Sequence, residues 1–406
     1  MKRLSTRYFS FLLLVFFSLP GGKQHAFPDD RNVKELNVPA EDSYRRAVLP
    51  DKPFDQDRIK AVDKYFISKS VRGQFNGVVL FADRDKIFSK AYGYSNFRTK
   101  EKLSTSSVFQ LASISKTITA TAVLMLAQQG LVDIKAPVSD YLEGFGRPTL
   151  TVEMLLSHKS GLADYTRFTA GVWIGFMKPM SNEDMLSIML KRKPRPYFSP
   201  GLKYQYSNTN YALLASIVEH VTGESFSSWV RRNIFEPVGM DNTFFCTEPE
   251  FSRCGTMTQG YTSRRAPYGL NFLDGVLGDK GVYSTAEDLL KFDMALREGF
   301  ILDDHWQQKA YTNYTDQVHP YGYGWRLYNY NDREIVYHNG WWHGYRGRFL
   351  RLPEEQKTII VLENQARSSF SVPTLMNISE KLFDPYVSDT TVVESGAEDT
   401  EDETMP

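Results

Sequence analysis

Cysteine is almost missing from this chain: Cys246 and Cys254, in "CTEPEFSRC", are the only two among 406 residues. They are too few to build a metal centre by themselves. Histidine is scarce as well. The seven that occur are scattered, and His338 and His343 lack the spacing and carboxylate partner of a zinc motif. No metal or other cofactor is expected. Net charge is missing altogether, because Lys+Arg and Asp+Glu both number 48. Without an overall positive field, nucleic acid and an anionic membrane are not expected partners. Long apolar stretches are missing too. The run Tyr8 to Leu19 is too short for a comfortable bilayer span, and no repeat of fixed period is visible.

What is present is ample core material. Hydrophobic residues make up 42%, with 23 Tyr, 27 Phe and 6 Trp, enough for one large or two-lobed domain. The start resembles a secretory signal: Lys2, Arg3 and Arg7 precede the apolar run, and Gly21 and Gly22 follow it. We expect a signal peptide over residues 1–26, cleaved at Gly22 or Ala26, and an exported protein, periplasmic or secreted, without stable membrane insertion. An uncleaved N-terminal anchor is the alternative. Residues 27–53 are polar and punctuated by proline, and read as an N-terminal extension. Oxidising surroundings favour a Cys246–Cys254 disulfide, whose small loop would contribute about 2–3 kcal/mol. Two free buried thiols are the alternative. Residues 388–406 hold seven acidic residues and no Lys or Arg, and are expected to stay disordered.

Residues 54–387 carry the folded pattern. Ile59, Val62, Phe66 and Ile67 give Gln56 to Lys69 a helical period, and "FNGVVLFADRDKIFSKAYGYSN" reads as a hairpin turning at Asp83 to Asp85. Helix signals dominate the middle. Ser181 with Asp184 resembles a capping box, "NYALLASIVEHVTG" stops at Gly223, and "STAEDLLKFDMALREG" has a cap at Ser284 or Thr285. After Tyr321 come "YGWRLYN", "EIVYHNGW", "YRGRFLRL" and "TIIVLEN", all strand-like, then a last helix near Val372 to Phe383. This order predicts an α+β fold: an antiparallel sheet built from both termini, flanked by helices, with a mainly helical lobe inserted.

One local pattern points to chemistry. In "VFQLASISKTITATAVLMLAQQG", Ser113 stands three residues before Lys116 at the mouth of an apolar helix. That spacing puts hydroxyl and amine on one face. Burial disfavours the ammonium, so a desolvated lysine can accept the serine proton and activate a nucleophile. Alone, the pair reads equally as a capping serine and a snorkelling lysine. Two further stretches add to it. Tyr206 and Asn208, in "YSN", precede a helix, and His338-Asn339-Gly340 lies on a strand where glycine admits a close neighbour.

In that order, these three motifs resemble the serine β-lactamase and penicillin-binding-protein superfamily. The branch they are most similar to is the class C β-lactamase-like one, with its D-aminopeptidase, DD-carboxypeptidase and esterase relatives. The stretches "TVEMLLSHKSGLADY", "DKGVYSTAEDLLKF" and "YGYGW" resemble it too. The resemblance implies a β-lactamase/transpeptidase-like fold with Ser113 as acylated nucleophile, Lys116 as its proton partner and Tyr206 as proton relay. It also implies substrate binding by Asn208 and Gly340, and His338 in place of the usual third-motif lysine. An oxyanion hole would come from the backbone N–H groups of Ser113 and Trp341. Lys159 and Ser115 are read as decoys. A neutral His338 holds a substrate carboxylate weakly, so Arg346 or Arg348 is the candidate for that role. The expected function is a serine hydrolase acting on an amide or ester of a small-molecule or peptide substrate. The alternative is a non-catalytic or very slowly turning-over binding or sensing protein for β-lactams or cell-wall peptides.

Overall fold

The structure is a computed structural model that describes residues 46–173, 178–247, 251–367 and 370–385. The expected signal peptide, most of the N-terminal extension and the acidic tail lie outside the described residues. The described residues all belong to one compact unit.

Its frame is a six-stranded antiparallel sheet. The first two strands, β1 (Gly77–Asp83) and β2 (Lys86–Tyr92), form the expected hairpin. A small hairpin of β3 (Tyr94–Asn96) and β4 (Glu101–Lys102) follows. The strands β5 (Phe109–Gln110), β6 (Phe244–Phe245) and β7 (Val282–Ser284) make a separate minor sheet. The main sheet resumes with β8 (Arg326–Tyr330), β9 (Arg333–Trp342), β10 (Tyr345–Leu352) and β11 (Lys357–Glu363). Its spatial order is β2-β1-β11-β10-β9-β8, so N- and C-terminal strands meet at β1 and β11. The expected α+β architecture is what the chain adopts.

Strand β1 reads as a continuous apolar run because both of its faces are covered. Val78, Leu80 and Ala82 join the larger core, with the helices Ser115–Gln128, Asn208–Thr222 and Ala286–Arg297. Val79 and Phe81 point the other way, into a second core with the helices Gln56–Val71 and Val372–Ser379. A slip of one residue between β1 and β11, where Leu80 faces Ile360, would exchange the two sets.

Local signals place the helix ends. The Asp55 carboxylate caps Gln56–Val71, the Ser181–Asp184 capping box opens Asn182–Arg192, and Thr285 caps Ala286–Arg297. Gly223, left-handed at φ 70°, closes Asn208–Thr222. The last helix ends at Ser379, four residues short of the expected Phe383. The chain turns there instead, which brings the Phe383 ring 6.1 Å from both Phe54 and Phe81. Cys246 and Cys254 are joined in a disulfide.

Phe66 is the keystone of the second core, fully buried with Phe75, Phe81, Tyr92 and Phe370 rings 5.2–6.2 Å away. We expect Phe66→Ala to lower the unfolding free energy by about 3–5 kcal/mol in urea titrations, the cost of a large core cavity.

Candidate active site

Strand β5 leads into one 3-10 turn, Ala112–Ile114, which continues as the helix Ser115–Gln128. Ala112 adopts φ 51°, a left-handed conformation in which a side chain is strained. The turn packs against β9. A Cβ on Gly340 would lie 2.2 Å from the Leu111 carbonyl oxygen, so this approach requires glycine.

Lys116 is completely buried one turn into this segment. Its amine donates to Ser113 Oγ at 3.2 Å, to Asn208 Oδ1 at 2.9 Å and to the Asp279 carbonyl at 2.7 Å. It also lies 4.9 Å from the centre of the Tyr206 ring. Burial pulls the Lys116 pKa down to about 8. The Asp279 and Asp164 carboxylates oppose that shift, and Arg326 reinforces it.

Tyr206 and Asn208 come from the loop that enters the helix Asn208–Thr222. Three anchors hold this loop. The Asn208 N–H donates to Asp164 Oδ2 at 2.8 Å, and the Ser207 N–H donates to His158 Nδ1 at 3.3 Å. The Asn210 amide reaches the same His158 nitrogen at 2.9 Å. The His158 ring centre is 4.3 Å from that of Tyr206. Burial raises the Tyr206 pKa, against a hydrogen bond with Ser113 and the charge of Arg326. The phenol is therefore protonated at neutral pH.

His338 is buried on β9. Its Nδ1 donates to the Asn339 carbonyl at 2.8 Å, and its Nε2 accepts from the Tyr321 hydroxyl at 3.1 Å. Burial, together with Arg326 and Lys116, holds its pKa well below the ordinary value. The imidazole is neutral, as expected from the sequence. Next to it, β8 ends at Arg326 opposite Tyr337, so β9 from His338 to Trp342 has no β8 partner along that edge.

Ser113, Tyr206, Asn208, His338, Gly340 and Trp341 line one cleft of about 630 Å³, with Lys116 beneath it. Arg346 and Arg348 line it too, but differently. The Arg346 guanidinium sits 4.3 Å over the Trp341 ring, which is 65% exposed at the mouth. Arg348 Nε donates to the Phe370 carbonyl at 2.7 Å. Trp342 is half-buried and donates to Asp274 at 2.6 Å. Ser115 Oγ accepts from the Val282 N–H at 3.3 Å, a local role, and Lys159 does not line the cleft.

Four residues at the site were not singled out by sequence: His158, Asp164, Asp279 and Arg326. The Arg326 guanidinium lies 5.3 Å from the Tyr206 ring and 5.8 Å from the Tyr321 ring. It forms no ion pair with any described residue, and its Nε lacks a hydrogen-bond partner. "GLADY" and "GDKG" did carry Asp164 and Asp279, but nothing local ties either to Lys116.

This turn, helix, loop and strand edge define the architecture of serine penicillin-recognising enzymes and their relatives. The Beta-lactamase family model matches residues 62–381, and the chain belongs to that family. It is 31% identical to "Penicillin-binding protein 4*" of Bacillus subtilis (strain 168) over 353 residues, covering 82% of this chain and 78% of that protein. It is 26% identical to "Protein flp" of Staphylococcus aureus (strain N315), covering 76% of this chain and 63% of that protein. Among solved structures, the octameric penicillin-binding protein homologue of Pyrococcus abyssi superposes with TM-score 0.69 at 24% identity, covering 79% of this chain and 76% of that one. D-amino acid amidase of Ochrobactrum anthropi SV3 does so with TM-score 0.67 at 23% identity, covering 80% and 96%. Family membership supports serine-hydrolase activity in general. Among the described residues no helix is long and apolar enough to cross a membrane.

Lys116 also leaves a signature in stability. The folded amine releases its proton near pH 8, whereas an unfolded one keeps it to about 10.5. The unfolded state binds more protons between those values, so this group's contribution to stability rises across that window. In denaturant midpoints measured from pH 7 to 10.5, Lys116→Met should lack that rise.

Proposed function

We propose that the chain hydrolyses an amide or ester through an acyl-enzyme on Ser113. The observation that carries this reading is the buried Lys116 amine, 3.2 Å from Ser113 Oγ and with its pKa lowered to about 8. At pH 7 about a tenth of it is neutral. That neutral amine takes the Ser113 proton as Oγ bonds to the substrate carbonyl carbon. The carbonyl electron pair moves to oxygen, and the Ser113 and Trp341 N–H groups stabilise it. Tyr206 passes its proton to the leaving nitrogen or oxygen as the scissile bond breaks, and the Lys116 ammonium restores the phenol. Water then retraces the path: it gives a proton toward Tyr206 and Lys116, bonds to the acyl carbon, and frees the Ser113 hydroxyl and the acid.

The cleft favours a substrate with an extended, peptide-like segment and a carboxylate. The unpartnered edge of β9 offers main-chain hydrogen bonds to the former. With His338 neutral, the cation for the latter is Arg326, whose guanidinium has no acidic partner, seconded by Arg346. Asn208 binds the substrate amide as well as Lys116. We assign this activity to a domain over residues 54–387, exported by way of the leader at 1–26.

Incubation with a labelled penicillin or a fluorophosphonate, followed by peptide mass spectrometry, should place the adduct on Ser113 and find none in Ser113→Ala. Labelling that survives that substitution overturns the assignment. An adduct that is never released would favour the sensing alternative. kcat/KM should rise with pH through an apparent pKa near 8, with Lys116→Ala losing turnover while remaining folded. For a substrate with a free carboxylate, Arg326→Gln should raise KM about 10- to 100-fold, the worth of one charged hydrogen bond. A neutral ester of the same acyl group should be little affected.

A further inference from the structure

The chain is neutral overall, yet no Asp or Glu occurs between Asp184 and Glu219, and that interval holds Lys191, Arg192, Lys193, Arg195 and Lys203. All five are solvent-exposed, on the end of the helix Asn182–Arg192 and the loop running toward Tyr206. Complementing the helix dipole accounts for Lys191 and Arg192. It does not account for the other three.

Three of these cations, Lys193, Arg195 and Lys203, share a surface with a sixth, Arg147. The Arg147 guanidinium reaches the Pro194 carbonyl at 3.4 Å. It shares one shallow hollow with Lys193 and an adjoining one with Arg195, Tyr197 and Phe198. The Lys203 amine lies 5.1 Å from the Phe198 ring. None of the six forms an ion pair with a described residue. The backbone is fixed beneath them: Tyr197 N–H donates to the Gly161 carbonyl and Gly201 N–H to that of Lys159, both at 2.8 Å. Two apolar side chains stand out among the charges, Leu202 at 71% exposure and Tyr197 at 45%.

We propose that this surface docks the protein peripherally onto an anionic lipid bilayer. Lys and Arg are drawn to acidic headgroups, each strengthening binding about fivefold, and a leucine and a tyrosine projecting among them enter the interfacial layer. A soluble polyanion would engage the cations but has no use for Leu202. Tyr206 is only three positions along the chain from Lys203, roughly 10 Å at most. Docking therefore holds the cleft beside the membrane and favours substrates displayed there. The proposal is independent of the hydrolytic reading, because Ser113→Ala leaves the surface intact.

The test is co-sedimentation of the full chain with phosphatidylglycerol or phosphatidylcholine vesicles. The difference between the two lipids, compared across variants, removes any contribution of the apolar Tyr8–Leu19 run. We expect at least tenfold preference for the anionic vesicles, its loss in 0.5 M salt, and its loss in the combined K191E/R192E/K193E/R195E variant. Leu202→Ser should weaken binding several-fold, and hydrolysis of a soluble ester should be unchanged in both variants. Equal binding to both lipids, or retention of the preference after charge reversal, overturns the proposal. So does a Leu202→Ser variant that binds vesicles fully, with heparin resin retaining wild type and not the charge-reversed form, since that marks a site for soluble polyanions.

Discussion

The site depends on one cation being kept out of water. A lysine among side chains as apolar as those of the helix Ser115–Gln128 is tolerated only because three oxygens from three separate segments accept its protons. That arrangement does two things at once. It ties the turn, the Asn208 loop and the Asp279 segment together, and it weakens the amine's hold on its proton. Fold and chemistry draw on the same contacts.

The surroundings reinforce this economy of charge. His158 and His338 are both buried, and both are held neutral, by desolvation and by the nearby cations Lys116 and Arg326. Neutral rings can pack against Tyr206 and Tyr321 without adding a further positive charge to the pocket. His158 also accepts hydrogen bonds from the Ser207 N–H and the Asn210 side-chain amide just after Tyr206, so the phenol is aimed by a residue the cleft does not expose. Glycine completes the arrangement, letting Gly340 bring β9 against the Leu111 carbonyl.

Much of this was legible in the residues, for identifiable reasons. The helix and strand periods of "FISKSV" and "GVVLFAD" are local, and so are the capping box at Ser181 and the stop at Gly223. Ser113 and Lys116 stand out because helical spacing alone makes them neighbours. His158, Asp164, Asp279 and Arg326 do not stand out, because their roles exist only after segments some 40 to 160 residues apart have met. Arg326 sits in "YGWRLYN", where an arginine in a strand is unremarkable until the opposing tyrosines are known. A balanced total charge likewise concealed the run from Lys191 to Lys203, since a sum over the chain carries no positions.

The pairing of β1 with β11 has a consequence for biogenesis. Gly77 pairs locally with Tyr92 on β2, but on its other side its partner is Glu363, so the ladder between β1 and β11 joins residues nearly 290 positions apart. A ribosome delivers the first strand long before the last, and for that interval the nascent polypeptide exposes an aliphatic edge seeking a neighbour. Premature termination before β11 would leave that edge permanently open, a template for clumping. The topology thus makes completion of synthesis the condition for closing the sheet.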